Sequence, residues 1–191
     1  MTDTPDLTHA VNDALVATVA YSDVFDMPVS LVDVGRFLVG VRAPLEAVER
    51  AADALVDSGQ LARCGDLLYL SGRDEVLAIH ADRTQRADQM WPQARRWISV
   101  LARLPYVRMV AVTGGLACDS VAPHDDIDLF IITAPGRLWL TRLAVVSVVR
   151  VVGLRGPELC PNYLLSTDAL DLDVRTQYVA RELAQTVPLV G

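Results

Sequence analysis

The sequence predicts an α/β protein of the α+β kind, with a helical N-terminal module that ends in a hairpin and a small mixed-sheet C-terminal domain. Three observations lead there. The first third of the 191 residues has helical periodicity, then two short apolar runs around Gly65-Asp66. After Pro105, apolar runs of strand length alternate with longer helical ones. Finally, 52% of the residues are hydrophobic and the mean hydropathy is +0.30, ample for a real core. This length accommodates one large domain or two small ones. The change of pattern gives residues 1–88 as a module with the start of a linker helix, and residues 89–191 as a second domain.

Each element has its own signal. Leu7 to Tyr21 carries Val11, Leu15, Val16 and Val19 at helical spacing. Ser30 can cap a second helix, with Leu31, Val34 and Leu38 on one face and Asp33 in capping-box position. Pro44 sits at the first turn of a third helix whose apolar positions are Leu45, Val48, Ala52, Leu55 and Val56. Gly59 ends it as a left-handed cap. Leu61 to Cys64 and Leu67 to Leu70 flank Gly65-Asp66 as a tight hairpin. Three helices followed by a hairpin is the order of a winged helix. Asp74 to Leu104 reads as a linking helix, broken near Pro92. Beyond it we expect strands at Val107–Val112, Ile127–Thr133 and Leu159–Leu165. Between and after them we expect a short helical turn at Gly115–Asp119 and helices at Arg137–Val152 and Asp173–Val187. Strands this apolar belong in a mixed sheet buried on both faces.

Several classes are disfavoured. No segment reaches about 18 uninterrupted apolar residues, and Leu138 to Val152 is interrupted by Arg142 and Arg150, so no membrane association is expected. The start, MTDTPDLTHA, lacks the basic and apolar regions of a signal peptide. Three cysteines without CxxC spacing (Cys64, Cys118, Cys160) fit a reducing cytoplasm. Cys118 and Cys160 read as small core residues, and Trp91 and Trp97 as packing for the linker helix. All 17 basic residues are arginine, which removes lysine-based mechanisms.

The chemistry concentrates between Met109 and Thr133, MVAVTGGLACDSVAPHDDIDLFIIT. One apolar run ends in Thr113-Gly114-Gly115, and the next opens with Asp126-Ile127-Asp128. The glycines can bring bare backbone N–H groups against phosphate oxygens, and Thr113 or Ser120 can add a hydroxyl. On a strand, Asp126 and Asp128 share one face about 7 Å apart, while Ile127 points into the core. Two such carboxylates suit magnesium or manganese, hard ions that take oxygen ligands. His124 and Asp125 stand in the same connector, and Arg137, just beyond the second run, is a candidate triphosphate contact.

This pattern of apolar strand, Gly-Gly, connector and Asp-x-Asp resembles the polymerase-beta-type nucleotidyltransferase superfamily over roughly Trp97 to Leu165. The resemblance implies a nucleotidyltransferase domain with Asp126 and Asp128 as catalytic metal ligands. Thr113, Gly114, Gly115 and Ser120 would lie around the nucleotide, an NTP with ATP foremost. The reaction implied is transfer of a nucleoside monophosphate to a hydroxyl on a small molecule or protein, with pyrophosphate leaving. One departure matters. Such proteins usually carry a third carboxylate on a following strand, and here Asn162 stands where that residue is sought, with Glu158 before the strand and Asp168 after it. A catalytically weak or inactive nucleotide-binding partner or sensor is therefore a rival reading.

A winged-helix transcription regulator is the other rival. Residues up to Asp88 hold 15 acidic side chains against seven arginines, and the remainder nine against ten. The third helix carries Glu46, Glu49, Asp53 and Asp57, which would repel phosphate, so DNA is a disfavoured partner. The module reads instead as a protein-interaction or packing unit. The apolar closing run Thr186 to Gly191 suggests a face left for a protein partner or a second copy.

Overall fold

A computed structural model of the chain describes residues 4–154, 156 and 158–191; residues 1–3 of the acidic opening segment lie outside the described residues. The chain divides into two compact units, one ending at Asp82 and the other spanning Arg83–Gly191.

The first unit contains α1 (Thr4–Asp23), β1 (Val29–Ser30), α2 (Leu31–Arg36), α3 (Leu45–Asp57), β2 (Leu61–Cys64) and β3 (Leu67–Leu70). The expected hairpin is present in the expected register, Cys64 opposite Leu67, with Gly65 at φ +63°. The sequence did not reveal β1, which adds antiparallel to β3 and makes a three-stranded sheet in the order β1-β3-β2. Ser30 ends that strand and caps α2: its hydroxyl accepts from the Asp33 N–H (3.1 Å) and donates to the Asp33 carboxylate (2.7 Å). Helix α3 closes in a Schellman arrangement, with Gly59 N–H on Val56 C=O and Gln60 N–H on Leu55 C=O, and Gly59 takes φ +77°. Val11, Leu15, Val19, Val34, Val48, Ala52, Leu55, Leu61 and Leu68 form one buried cluster. Leu45 is not part of it. It begins α3 rather than following Pro44 into it, and is 44% exposed.

Arg73 clamps the end of this unit. Its guanidinium meets Asp23 (3.0 Å), Asp26 (2.6 Å) and Glu75 (2.8 Å).

The linking helix α4 (Glu75–Leu101) runs unbroken through Pro92, contrary to expectation. Pro92 and Asp88, the residue whose carbonyl loses its donor, both lie exposed, where water can satisfy the orphaned group. The division between the units falls within this helix, six residues before the boundary placed from sequence.

In the second unit β4 (Val107–Val112), the single turn α5 (Gly114–Ala117), β5 (Ile127–Thr133), α6 (Leu138–Val152) and β6 (Leu159–Ser166) follow the predicted pattern closely. The end of the chain does not. The last helix, α7, spans only Gln177–Gln185, and Val187–Val190 is a further strand, β7. Helix α7 starts late because the Thr176 hydroxyl caps it, accepting from Val179 N–H (3.3 Å). The sheet has the order β6-β5-β4-β7; β5 is parallel to β6 and antiparallel to β4, and β7 is antiparallel to β4. The closing run is an edge strand, with Leu189 packed on the core and Val190 40% exposed.

Alternation sorts the two faces of this sheet. Val110 and Val112 of β4, Ile127, Leu129 and Ile131 of β5, and Leu159 of β6 point to one side. There they form the core with Ala87, Ala94, Ile98 and Leu101 of α4 and with Val145 and Val152 of α6. Asp128 and Phe130 point to the other side. Among the described residues, no helix is long and apolar enough to cross a membrane.

Candidate functional site

The site lies where β4 ends beside the start of β5. The N–H of Thr113 donates to the Asp128 carbonyl (3.0 Å), so the ladder continues to the edge of the glycine turn. Gly114 then takes φ +66°, and any Cβ placed there would collide with the Asp128 carboxylate. Only glycine meets both conditions. Gly115 is confined on its other side. A Cβ there would come within 2.6 Å of the Ser120 carbonyl and 3.3 Å of the Asp125 carboxylate. The Ser120 N–H donates to the Gly115 carbonyl (2.9 Å), and Asp125 accepts from the Ala122 N–H (2.7 Å), folding the connector back over the turn.

Asp126 and Asp128 are half-buried and come together as expected. A third side chain joins them, and it is neither Asn162 alone nor a carboxylate. In the parallel register Asp128 lies beside Cys160, and ligand atoms of Asp126, Asp128 and Cys160 all fall within 4.8 Å of one another. Asn162 does reach the pair, donating from Nδ2 to Asp128 Oδ1 (3.3 Å). Two carboxylates at this spacing fit an oxygen-seeking dication; the thiol adds a donor that magnesium does not seek.

A second contribution comes from α7. Thr113, 2% exposed, donates its hydroxyl to the Glu182 carboxylate (2.9 Å), 69 positions downstream. The negative charge of Glu182 acts on Asp128, disfavouring its ionised form. Sequence reasoning missed both Cys160 and Glu182. The first emerges only from strand register, the second only once β7 carries α7 back over the sheet.

The remaining candidates fall elsewhere. His124 is exposed on the connector with φ +72°. Arg137 follows the far end of β5, its guanidinium over the Tyr106 ring at 5.2 Å, and is not brought to the aspartates. Asp168 accepts from the Ser166 hydroxyl beyond the far end of β6. Glu158 is exposed just before β6, where its carbonyl accepts from the Ile127 N–H (2.9 Å). Trp91 donates its Nε1–H to Asp119 (2.7 Å), consistent with a packing role on α4.

Burial, followed by the negative charge of Asp126, pushes the Asp128 carboxyl up to about 6, with Glu182 and Asp125 adding to it; a hydrogen bond from Cys160 acts the other way. Burial and the two carboxylates push the Cys160 thiol up to about 11. Since the folded-state value of Asp128 exceeds the ordinary carboxylate value, folding disfavours its ionised form. Any stability cost is absent at low pH and grows as pH rises through about 4 to about 6. Asp128→Asn is therefore expected to stabilise the metal-free protein above about pH 6. After screening at a half-exposed group, the gain is on the order of 1 kcal/mol, fading toward about pH 4. Urea denaturation across that pH range checks it, and a variant less stable than the parent at neutral pH would contradict it.

Compared with protein families, curated proteins and solved structures, the chain matches none.

Proposed function

We propose that the Arg83–Gly191 unit binds a nucleoside triphosphate, ATP foremost, and transfers its nucleoside monophosphate to a hydroxyl acceptor with release of pyrophosphate. The observation that carries this reading is the packing of Gly114 against the Asp128 carboxylate beside Asp126. That contact holds a backbone turn suited to phosphates against a pair of acids suited to a dication. Asp126 and Asp128 would hold magnesium or manganese, which when bound neutralises phosphate charge and favours departure of pyrophosphate. Gly114 and Gly115 would receive the phosphates on backbone N–H groups, with Thr113 and Ser120 beside them. The acceptor oxygen forms the new bond to the α-phosphorus as the bond to pyrophosphate breaks, and the acceptor's hydroxyl proton passes to solvent. A reducing cytoplasm suits the three free cysteines.

A second reading, a nucleotide-binding partner without turnover, is favoured by one observation. The β6 residues nearest Asp128 are Cys160 and Asn162, and an amide cannot accept the acceptor's proton. Incubation with magnesium and ATP labelled on its α-phosphate separates the two. Transfer of label with matching pyrophosphate supports the first reading, and Mg-dependent binding without pyrophosphate supports the second. Absence of Mg-dependent binding for every NTP removes both.

For the N-terminal unit we favour protein interaction over DNA. Glu46, Glu49, Asp53 and Asp57 are all exposed on α3, the element that would have to approach a phosphate backbone.

A further inference from the structure

We propose that Cys160 sets the cation preference of the Asp126–Asp128 pair, favouring thiophilic divalent ions such as Zn2+, Co2+ or Cd2+ over Mg2+. The inference rests on reading the two aspartates as cation ligands. The geometry adds a constraint that an acid pair alone does not. Asp128 of β5 and Cys160 of β6 lie beside each other in parallel register, and Asp126 stands just before β5. Its sulfur shares a sphere with both carboxylates, every ligand atom within 4.8 Å of the others. Small shifts in side-chain angle would seat all three on one ion, because bonds of about 2.0–2.3 Å to oxygen and sulfur require no wider separation.

Magnesium holds near-ideal octahedral geometry with oxygen donors and water, and gains nothing from a thiol at this position. Zinc, cobalt and cadmium bind thiolate strongly and accept mixed sulfur and oxygen sets. On binding, the sulfur would form the metal bond and its proton would pass to solvent. The neighbouring Asn162 amide donates to Asp128 Oδ1 (3.3 Å) and would help to orient that carboxylate when an ion is bound.

The test uses the full chain with Cys64 and Cys118 replaced by serine, leaving Cys160 as the sole thiol. Cd2+ titration is followed by ultraviolet sulfur-to-cadmium charge transfer, and Mg2+ affinity is measured separately by calorimetry. A saturable band is expected at one ion per chain. In Cys160→Ser the band should vanish and Cd2+ affinity should fall about tenfold or more, while Mg2+ affinity moves by less than about twofold. No sulfur band, or equal Cd2+ affinity with and without the thiol, would overturn the proposal. So would a band of undiminished affinity in Asp126→Asn/Asp128→Asn, since the sulfur would then be binding alone. Nucleotide binding is assayed in parallel. A band without it leaves Cys160 as a cation-selecting residue and removes the nucleotide reading, while nucleotide binding without a band does the reverse.

Discussion

Asp126→Asn/Asp128→Asn is expected to cut Mg-dependent label transfer from an NTP by about 10²–10³-fold, equivalent to roughly 3–4 kcal/mol of lost electrostatic stabilisation. The reason is arithmetic of charge. The dication that neutralises a triphosphate needs fixed negative partners, and Asp126, just before β5, and Asp128 would supply two with ligand atoms within 4.8 Å of each other. The asparagines keep shape and hydrogen bonding but hold no cation. The same substitutions should make the metal-free protein more stable at neutral pH, because they remove a carboxyl that burial and Asp126 push up to about 6. Loss of transfer together with gain in denaturation midpoint separates loss of chemistry from misfolding. Transfer at the parent rate would end the metal assignment.

Gly114→Ala carries the second large effect, on both stability and binding. The residue lies in the left-handed region, which costs a non-glycine residue about 1–2 kcal/mol. The added methyl would also strike the Asp128 carboxylate, so either the turn or the metal ligand must shift. We expect about 1–3 kcal/mol of destabilisation and a loss of Mg-nucleotide affinity approaching that of the aspartate variants. Gly136→Ala is the control. Gly136 has φ +65° but nothing within 4 Å of an added Cβ, so it should show the backbone cost alone and bind normally. Equal binding by the two alanine variants would dissociate the glycine turn from the site.

Much of the scaffold was legible because its signals are local. Two four-residue apolar runs around Gly65-Asp66 specify a hairpin and its register, and the capping pair Ser30 and Asp33 marks the start of α2. The strands flanking the glycine turn were likewise visible as apolar runs that end in residues unsuited to a core. What escaped is non-local. Strand β1 is two residues long and owes its existence to β3. Strand β7 contains Pro188, which argues against a strand in isolation; an edge position opposite Ala111 tolerates it. Helix α7 starts later than composition alone suggests, because the Thr176 cap and not the Asp173 to Thr176 composition decides the boundary. The site shows the same division. Gly114, Gly115, Asp126 and Asp128 are close in sequence and were found together. Cys160 entered through strand register, and Glu182 through the return of the chain.

That return has a temporal side. Pairing β4 with β5 closes a short connection, whereas pairing β4 with β7 must gather nearly the whole second unit. Closure entropy rises with the span enclosed, so the short pairing is favoured first and the long one late. The cradle of Gly114 and Asp128 can thus exist before α7 arrives, and Glu182 reaches Thr113 as β7 pairs with β4. Maturation of this site would then follow the pairing of β7 with β4: a second unit with only β4 and β5 paired would hold the aspartates beside the glycine turn before Glu182 reaches Thr113.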